Sequence, residues 1–468
     1  MYSAFQIENH NKAVELKNLF ESHVNGELSP EEIDCYQKKQ LRAVLGKVMQ
    51  SSEFYKEKFR PINSLELNDL DFETLKKLPF TTKEELRLAQ QKVSSDPLHK
   101  AWIYYETTGT TGKPSPCPRN EIDSIHNNIA LTFSYKDIFE AHGRDHIIGV
   151  MGPSELHSTG DTFEDVFRSL GYTTIKMWPR SPVVSFDRAI TLIQELQLTA
   201  LVCTPAVAVE LVRRMQEKGI NPKETSVRVI FTLGELTTKE FLRNIGLAWG
   251  SKVYNCMYAS QESSIMAACD KQGFLTTIPI NNHYEVIDPV SENSLDLMEG
   301  KPVTGELVIT HLYCGQKPLV RYRTGDLIVA EMCENKKMKI KPVGRIKDAV
   351  NINGMTLSAY DLEKYILEDI TYCLDYHVEI NKPSNEDTLD VTIELSSEIE
   401  SSSIDSEKLS IDLSKKLCAK TTVHIGKPGD VTKTSAMVSW KAARINDTRD
   451  EANNSDNKFG NILISSGF

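Results

Sequence analysis

The sequence is short of several features, and each shortage removes a class of protein. No run approaches the roughly 18 consecutive apolar residues that cross a bilayer. Residues 1–11 carry Glu8, Asn9 and His10 where an export leader needs an apolar stretch. A soluble, cytoplasmic chain with no membrane partner is therefore expected. The nine cysteines, from Cys35 to Cys418, form no C-x-x-C pair, so neither a zinc ribbon nor a disulfide framework is indicated. Basic residues are in deficit: 54 Lys and Arg face 65 Asp and Glu, a formal charge of -11 with an isoelectric point near 5.6. A protein built to hold nucleic acid normally has a basic face, so no nucleic-acid partner is expected. No internal repeat is visible, which removes solenoids and propellers.

The composition that remains is that of a globular protein, with 40% hydrophobic and 25% charged residues. A length of 468 residues exceeds what one hydrophobic core usually supports, so at least two structural units are predicted. The first hundred residues read as mainly helical. Ser29 and Glu32 form an S-x-x-E capping box, followed by Leu41, Leu45 and Val48 at helical spacing. A second Thr-based cap at Thr81 opens TTKEELRLAQQ, and AWIYYETTGTTGKP then turns strand-like.

From His146 to Ile230 apolar strands alternate with amphipathic helices: HIIGVMG, DTFEDVFRSLGY, TTIKMW, FDRAITLIQELQ, ALVCTP, AVELVRRMQEKG and VRVIFT. That order predicts a mostly parallel sheet with crossover helices, whose ligands lie at strand ends. After Asn255 the short strands YEVIDP, GELVITHL and LIVAEM predict a β-rich subdomain. A boundary falls near Lys347. Beyond it YHVEINK, LDVTIELS, SEKLSIDLSKKLCAK and TTVHIGKP give about a hundred residues of α+β, and DEANNSDNKFGNILISSGF reads as a mobile tail.

The chemistry concentrates in a few segments. Thr107, Thr108, Gly109, Thr110, Thr111, Gly112, Lys113 and Pro114 spell TTGTTGKP, a loop of small residues able to wrap backbone N–H groups and hydroxyls around a phosphate. It is not the P-loop of the nucleoside triphosphatases: four residues separate that motif's glycines, whereas two separate Gly109 from Gly112. A Gly/Thr surface turn would look the same in isolation. Its company does not: CTPAVAVEL from Cys203, FTLGE with Gly234 and Glu235, NCMYASQE with Asn255, Tyr258, Ala259, Ser260 and Glu262, GELVIT, RYRTGD ending at Asp326, GRIKD with Arg345 and Lys347, and WKAARINDTR with Lys441 follow in order.

This series resembles the adenylate-forming superfamily of acyl-CoA ligases, luciferases and nonribosomal-peptide adenylation domains, and is most similar to its phenylacetate–coenzyme A ligase branch. The resemblance implies an α/β fold class: a large N-terminal domain with mostly parallel sheets plus a β-rich subdomain, and a small mobile C-terminal α+β domain. The implied divisions are residues 1–100 for the helical N-terminal part, 101–346 for the adenylate-forming core, 348–449 for the small domain and 450–468 for the tail. It also implies ATP and Mg²⁺, a small carboxylic acid substrate, and as acyl acceptor either coenzyme A or the phosphopantetheine of an acyl or peptidyl carrier protein, the latter in secondary metabolism. A degenerate, non-catalytic accessory of a carrier protein is the alternative of another class. The oligomeric state stays open, a dimer included.

By the same resemblance Glu262 holds Mg²⁺, Tyr258 stacks on adenine beside Asn255, Asp326 accepts from both ribose hydroxyls and Arg345 reaches ribose or phosphate. Lys347 is the hinge, and Lys441 is the catalytic lysine, supplying the charge that lets a carboxylate meet the α-phosphate. Gly234, His157 and the segment Tyr258–Ser260 are expected around the acyl pocket, with His157 either a gate or a structural residue. Within VNINGMTLSAYDLE, Gly354 permits a turn and a close thiol approach. Four positions depart from the family pattern: Ala259 for Gly, Gln261 for Ser or Thr, Trp440 for Gly and Ala359 for Pro. Some branch members carry a Cys/His zinc site. Cys269 and Cys333 would be its relics, and no metal beyond Mg²⁺ is expected.

Overall fold

The computed structural model describes residues 6–60, 71–107, 112–333, 336–399, 404–426, 429, 431, 444–449 and 462–463. The chain opens with helices α1 (Ile7–Val24) and α2 (Pro30–Ser51). The second begins on the expected capping box: the Ser29 hydroxyl accepts from the Glu32 N–H, and the Glu32 carboxylate accepts from the Ser29 N–H. The cap of the short helix α3 (Lys83–Ala89) lies one residue later than expected, at Thr82, which forms its own box with Glu85. Thr81 is consumed elsewhere, since its N–H donates to the Arg321 carbonyl and its hydroxyl to that of Val320.

Strands β1 (Ile103–Glu106) and β2 (Pro116–Arg119) follow as an antiparallel ribbon, then helix α4 (Glu121–Ala141). The alternating stretch resolves into β3 (Ile147–Met151), α5 (Thr159–Ser169), β4 (Thr173–Lys176), α6 (Phe186–Glu195), β5 (Ala200–Cys203), α7 (Pro205–Glu217), β6 (Val229–Thr232), α8 (Lys239–Trp249) and β7 (Lys252–Asn255). Next come β8 (Met257–Ser260), β9 (Ser264–Cys269), β10 (Leu275–Thr277), β11 (Asn282–Ile287), β12 (Val303–His311), β13 (Tyr322–Met332) and β14 (Met338–Arg345). The last part holds β15 (Val350–Ile352), β16 (Met355–Leu357), α9 (Ala359–Leu367), β17 (Cys373–Asn381), β18 (Thr388–Leu395), α10 (Ser406–Leu417), β19 (Lys420–Gly426) and β20 (Ile445–Asp447). Residues Ile462–Leu463 of the tail pair in parallel with β16. No helix among the described residues is long and apolar enough to cross a membrane.

These elements form two compact units. The first gathers Met1–Ala141, Pro153–Tyr172 and Met257–Lys341. Its largest sheet has seven strands in the order β11-β12-β13-β14-β10-β9-β8, antiparallel through β11–β12–β13 and through β14–β10–β9–β8.

The second unit gathers His142–Gly152, Thr173–Cys256 and Pro342–Phe468. Its five-stranded sheet runs β4-β3-β5-β6-β7, with every pairing parallel. Strands β5 and β6 are buried at every position, so they read as unbroken apolar runs rather than alternations. The C-terminal segment builds a second sheet, β19-β18-β17-β20.

The C-terminal part of this unit is not a separate globule. One hydrophobic cluster runs from Ile230, Phe241 and Trp249 of the parallel layer to Leu362, Tyr376 and Ile393. Directional contacts cross the same surface. The Arg213 guanidinium on α7 donates to both oxygens of Glu394 on β18, at 2.5 and 2.9 Å, with both side chains buried. The Glu363 carboxylate of α9 accepts from the Thr238 N–H at 2.9 Å and from the Tyr376 hydroxyl at 2.7 Å. Arg243 of α8 donates to the carbonyls of Leu367 and Ile370.

Candidate functional site

In the first unit the site is built around the β1–β2 ribbon, whose tip is the Gly/Thr loop. The stems are pinned below the tip: the Thr107 N–H donates to the Ser115 carbonyl and the Ser115 N–H to the Thr107 hydroxyl, at 3.1 and 2.9 Å. Thr108, Gly109, Thr110 and Thr111 lie outside the described residues. Gly112, at φ +146°, takes a backbone conformation that favours glycine, and a Cβ there would stand 2.7 Å from Nη1 of Arg87. Lys113 is exposed beside it.

Glu262 sits in the turn between β8 and β9, with its side chain only 3% exposed. Burial pushes a carboxyl towards the neutral form, yet the charge and hydrogen bonding of Lys83, its own backbone N–H and the charge of Lys317 bring Glu262 below the ordinary glutamate value. It is therefore an ionised carboxylate in the interior. Its Oε1 lies 2.9 Å from the Lys83 ammonium but accepts no aligned hydrogen bond. An anionic oxygen left short of donors suits a hard cation that takes its other ligands from phosphate and water. Among the described residues no group of three or more His, Cys, Asp or Glu is arranged to hold a metal.

Tyr258, on the edge strand β8, donates its hydroxyl to Oδ2 of Asp326 on β13 at 2.7 Å. Burial and the Asp326 charge push the phenol well above its ordinary value, so it stays a donor. At the irregularity within β13 it is Thr324 whose hydroxyl accepts the Asp326 N–H, at 3.2 Å, while Gly325 supplies φ +73°. The Asp326 carboxylate is thus not spent on its own backbone. The two arginines of RYRTGD are anchors: Arg321 pairs with buried Glu285 and Arg323 with Glu306.

The loop carrying His157 joins the same neighbourhood. The Glu106 N–H, at the end of β1, donates to the Leu156 carbonyl, and the Ser158 hydroxyl donates to the Gln261 side-chain carbonyl at 3.2 Å. His157 is held near a pKa of about 4, by burial first and by Arg119 second, so its ring is neutral. Its Nδ1 accepts from the Thr159 hydroxyl at 2.9 Å and from the Thr159 N–H. Gln261, one of the departures, leaves its Nε2 buried and unpartnered, whereas Ala259 is exposed on β8.

The second unit holds the remaining candidates. Gly234, at φ +84°, and Glu235 follow the C-terminal end of β6, and Asn255 ends β7 opposite Thr232. These are the strand ends where a parallel sheet accepts ligands. Burial raises the Glu235 carboxyl, with Arg444 acting the other way. Arg345 and Lys347 are exposed, the latter in a short turn after β14. Asn353 and Gly354 make the β15–β16 turn with φ of +46° and +85°, the left-handed pair that a two-residue hairpin requires. Trp440 and Lys441 lie outside the described residues. Their matched neighbours are structural. Arg444 is buried 3.4 Å from Asp375 and over the rings of Phe241 and Tyr376, and Arg449 bridges Asp447 and Asp387.

Sequence reasoning had no view of the Tyr258–Asp326 hydrogen bond or of the Lys83–Glu262 pair.

Known proteins resemble this chain in sequence and in fold. Residues 19–313 match the family model described as AMP-binding enzyme. The phenylacetate–coenzyme A ligase of Pseudomonas putida is 26% identical over 432 residues, covering 88% of this chain and 94% of the relative. That of Escherichia coli K12 is 25% identical over 388 residues, covering 78% and 83%. Among solved structures, 2-hydroxyisobutyryl-CoA ligase in the postadenylation state with 2-HIB-AMP superposes with a TM-score of 0.75 at 19% identity over 92% of this chain and 93% of that one. The same ligase with 2-HIB-AMP and CoA in its thioesterification state gives 0.60 at 20% identity, over 92% of each chain. The structures establish likeness of fold and the family model covers most of the chain, so this protein belongs to the AMP-binding enzyme family, within the adenylate-forming superfamily.

Proposed function

We propose that the chain spends ATP to convert a small carboxylic acid, aryl or related, into its acyl-adenylate and then passes the acyl group to the thiol of coenzyme A. The observation that carries this reading is the grouping, within one unit, of the ribbon that bears the Gly/Thr loop, a buried ionised Glu262 and a Tyr258–Asp326 pair. Each element suits one part of a nucleotide. The loop Thr107–Lys113 closes on phosphate, and Asp326, with two acceptor oxygens, takes ribose hydroxyls. Tyr258 is fixed by its hydroxyl so that its ring can meet adenine. Magnesium held at Glu262 would supply positive charge to the phosphate oxygens.

In the first half-reaction a substrate carboxylate oxygen bonds to the α-phosphorus and the bond to pyrophosphate breaks. Lys441 spreads its charge over the two anions as they approach. In the second a thiolate bonds to the acyl carbon, and AMP leaves with the bonding electrons. His157, neutral and fixed by Thr159, lines the acyl pocket with Tyr258–Ser260. Lys347 is the hinge between the two half-reactions.

Pyrophosphate exchange against a panel of acids, with and without magnesium, tests this directly. Exchange with an aryl or related acid is the expected result, and coenzyme A should then yield the thioester. Silence in every lane from folded protein would defeat the reading and favour a non-catalytic accessory. Transfer to a phosphopantetheinylated carrier protein but not to coenzyme A would replace the acceptor. Lys441→Ala should lose on the order of 10²–10³ in adenylation rate while still forming thioester from supplied acyl-AMP.

A further inference from the structure

Helix α3 has no part in the reading above, yet it meets the candidate phosphate site at three points. Lys83 and Arg87 stand at i and i+4 on one face of the helix, and Gln90 follows as its C-cap. Lys83 pairs with Glu262 at 2.9 Å. The Arg87 guanidinium lies against Gly112, close enough that any side chain there would collide with it. Gln90, which caps the helix, donates to the Pro114 carbonyl at 3.1 Å. The helix and its cap therefore underlie the described end of the loop and reach Glu262.

The Lys83–Glu262 pair is lopsided. The glutamate is fixed and 3% exposed, whereas the lysine side chain is 51% exposed on a flexible stem. The carboxylate cannot leave, whereas the ammonium can swing into water once another cation stands at Glu262 in its place. Arg87 is held by Glu84, itself 60% exposed, so it too can be released cheaply. Lys317, the other cation that acts on Glu262, is fixed, being buried and donating to the Pro116 carbonyl.

We propose that Lys83 keeps Glu262 neutralised in the place of the divalent cation until nucleotide arrives, and that Lys83 and Arg87 then move onto its polyphosphate as binding residues. This rests on the reading of the hairpin and Glu262 as the nucleotide site. It gives two cations a part in nucleotide binding that the family resemblance did not assign them, and it makes the exchange of ammonium for metal part of nucleotide entry.

Calorimetric titration of the full chain with ATP and with adenosine, in chelator and in magnesium, separates the possibilities without turnover. Lys83→Met alone would strand a buried carboxylate, so it is made in the Glu262→Gln background. There it should weaken ATP binding in chelator by about 10-fold or more, the usual scale for a hydrogen bond to a charged group, and leave adenosine unchanged. Arg87→Met in the otherwise native chain should do the same. In Glu262→Gln itself magnesium should no longer strengthen ATP binding. If ATP affinity in both cation variants stays within twofold of its background, the ion pair is only structural and the proposal falls while the nucleotide site stands. If the native chain binds neither ATP nor adenosine, the nucleotide reading itself falls, and the proposal with it.

Discussion

At the scale of single residues, the clearest test lies at Asp326. Removing its carboxylate takes away the proposed ribose acceptor and strands the buried Tyr258 hydroxyl that donates to it at 2.7 Å. Hydrogen bonds to a charged group contribute about 1.5–3 kcal/mol. Asp326→Ala should therefore raise the KM for ATP roughly 10- to 100-fold and leave the KM for the acid and the thiol within a few-fold, as steady-state kinetics with each substrate varied would reveal. Much of this site could be read from the sequence, because motif residues such as Glu262 and Asp326 announce their chemistry through their neighbours in the chain. What could not be read are pairings across it. Lys83 lies 179 positions from Glu262 and Tyr258 68 from Asp326, and no local spacing encodes either. The roles of Arg444 and Arg449 were also hidden: both match the tail pattern around Lys441, and both turn out to form buried ion pairs, with Asp375 and with Asp387.

At the scale of elements, the alternation from His146 to Ile230 was legible because fully buried parallel strands are continuous apolar runs and the intervening helices are amphipathic. The seven-stranded sheet was legible only in part. Strands β11, β12 and β13 stand out as branched apolar runs. By contrast, β10 has three residues, β8 is half polar, and β14 interleaves lysines in MKIKPVGR, so none resembles a strand in isolation. The attachment of the C-terminal segment to helices α7 and α8 left no mark in the sequence, since its contacts join residues more than a hundred positions apart. Its most exacting contact is Arg213 with Glu394. Breaking a buried pair by removing one partner typically costs about 3–5 kcal/mol, whereas replacing both with apolar residues is often neutral. Glu394→Leu should thus lower the denaturant midpoint markedly, and Arg213→Met combined with Glu394→Leu should recover most of it. If the double variant is no more stable than the single, the pair is not the source of the cost. Any swing of the small domain about Lys347 must break this pair together with the Glu363 contacts, so the double variant should also change the ratio of thioester-forming to adenylating rate.

At the scale of the whole molecule, acid should weaken the fold well before its paired carboxylates protonate. His126 and His311 are held at a pKa of about 4 and His283 at about 3, in each case mainly by burial. At His311 burial acts first and the bond from Nε2 to the Ser263 carbonyl acts the other way, while the Nδ1 lone pair is taken by the Leu319 N–H. In the unfolded chain these rings titrate near 6.5. Between about pH 6.5 and 4 the unfolded state binds protons that the folded state refuses, so stability falls as pH falls, by about 1.4 kcal/mol per pH unit for each fully titrating ring. Urea midpoints measured from pH 7 to 5 should show this decline. His311→Gln should flatten it, and an unchanged slope in that variant would remove His311 from the account.

The chain passes from one unit to the other after Ala141, Gly152, Tyr172, Cys256 and Lys341, and this has a consequence for synthesis. A nascent chain emerges from its N-terminus, but here neither unit is a continuous length of polypeptide. The first cannot close its seven-stranded sheet until β14 has been made, and the second cannot cover Phe241 and Trp249 until β17 and β18 have followed. For most of translation the ribosome therefore displays a half-built parallel layer with its apolar helix faces uncovered, the kind of species that chaperones bind. A fragment ending at Lys347, the natural place to cut if the last hundred residues were a free-standing module, would be frozen in that state. It should bind hydrophobic dyes and co-purify with chaperones, while co-expression with residues 348–468 should relieve both.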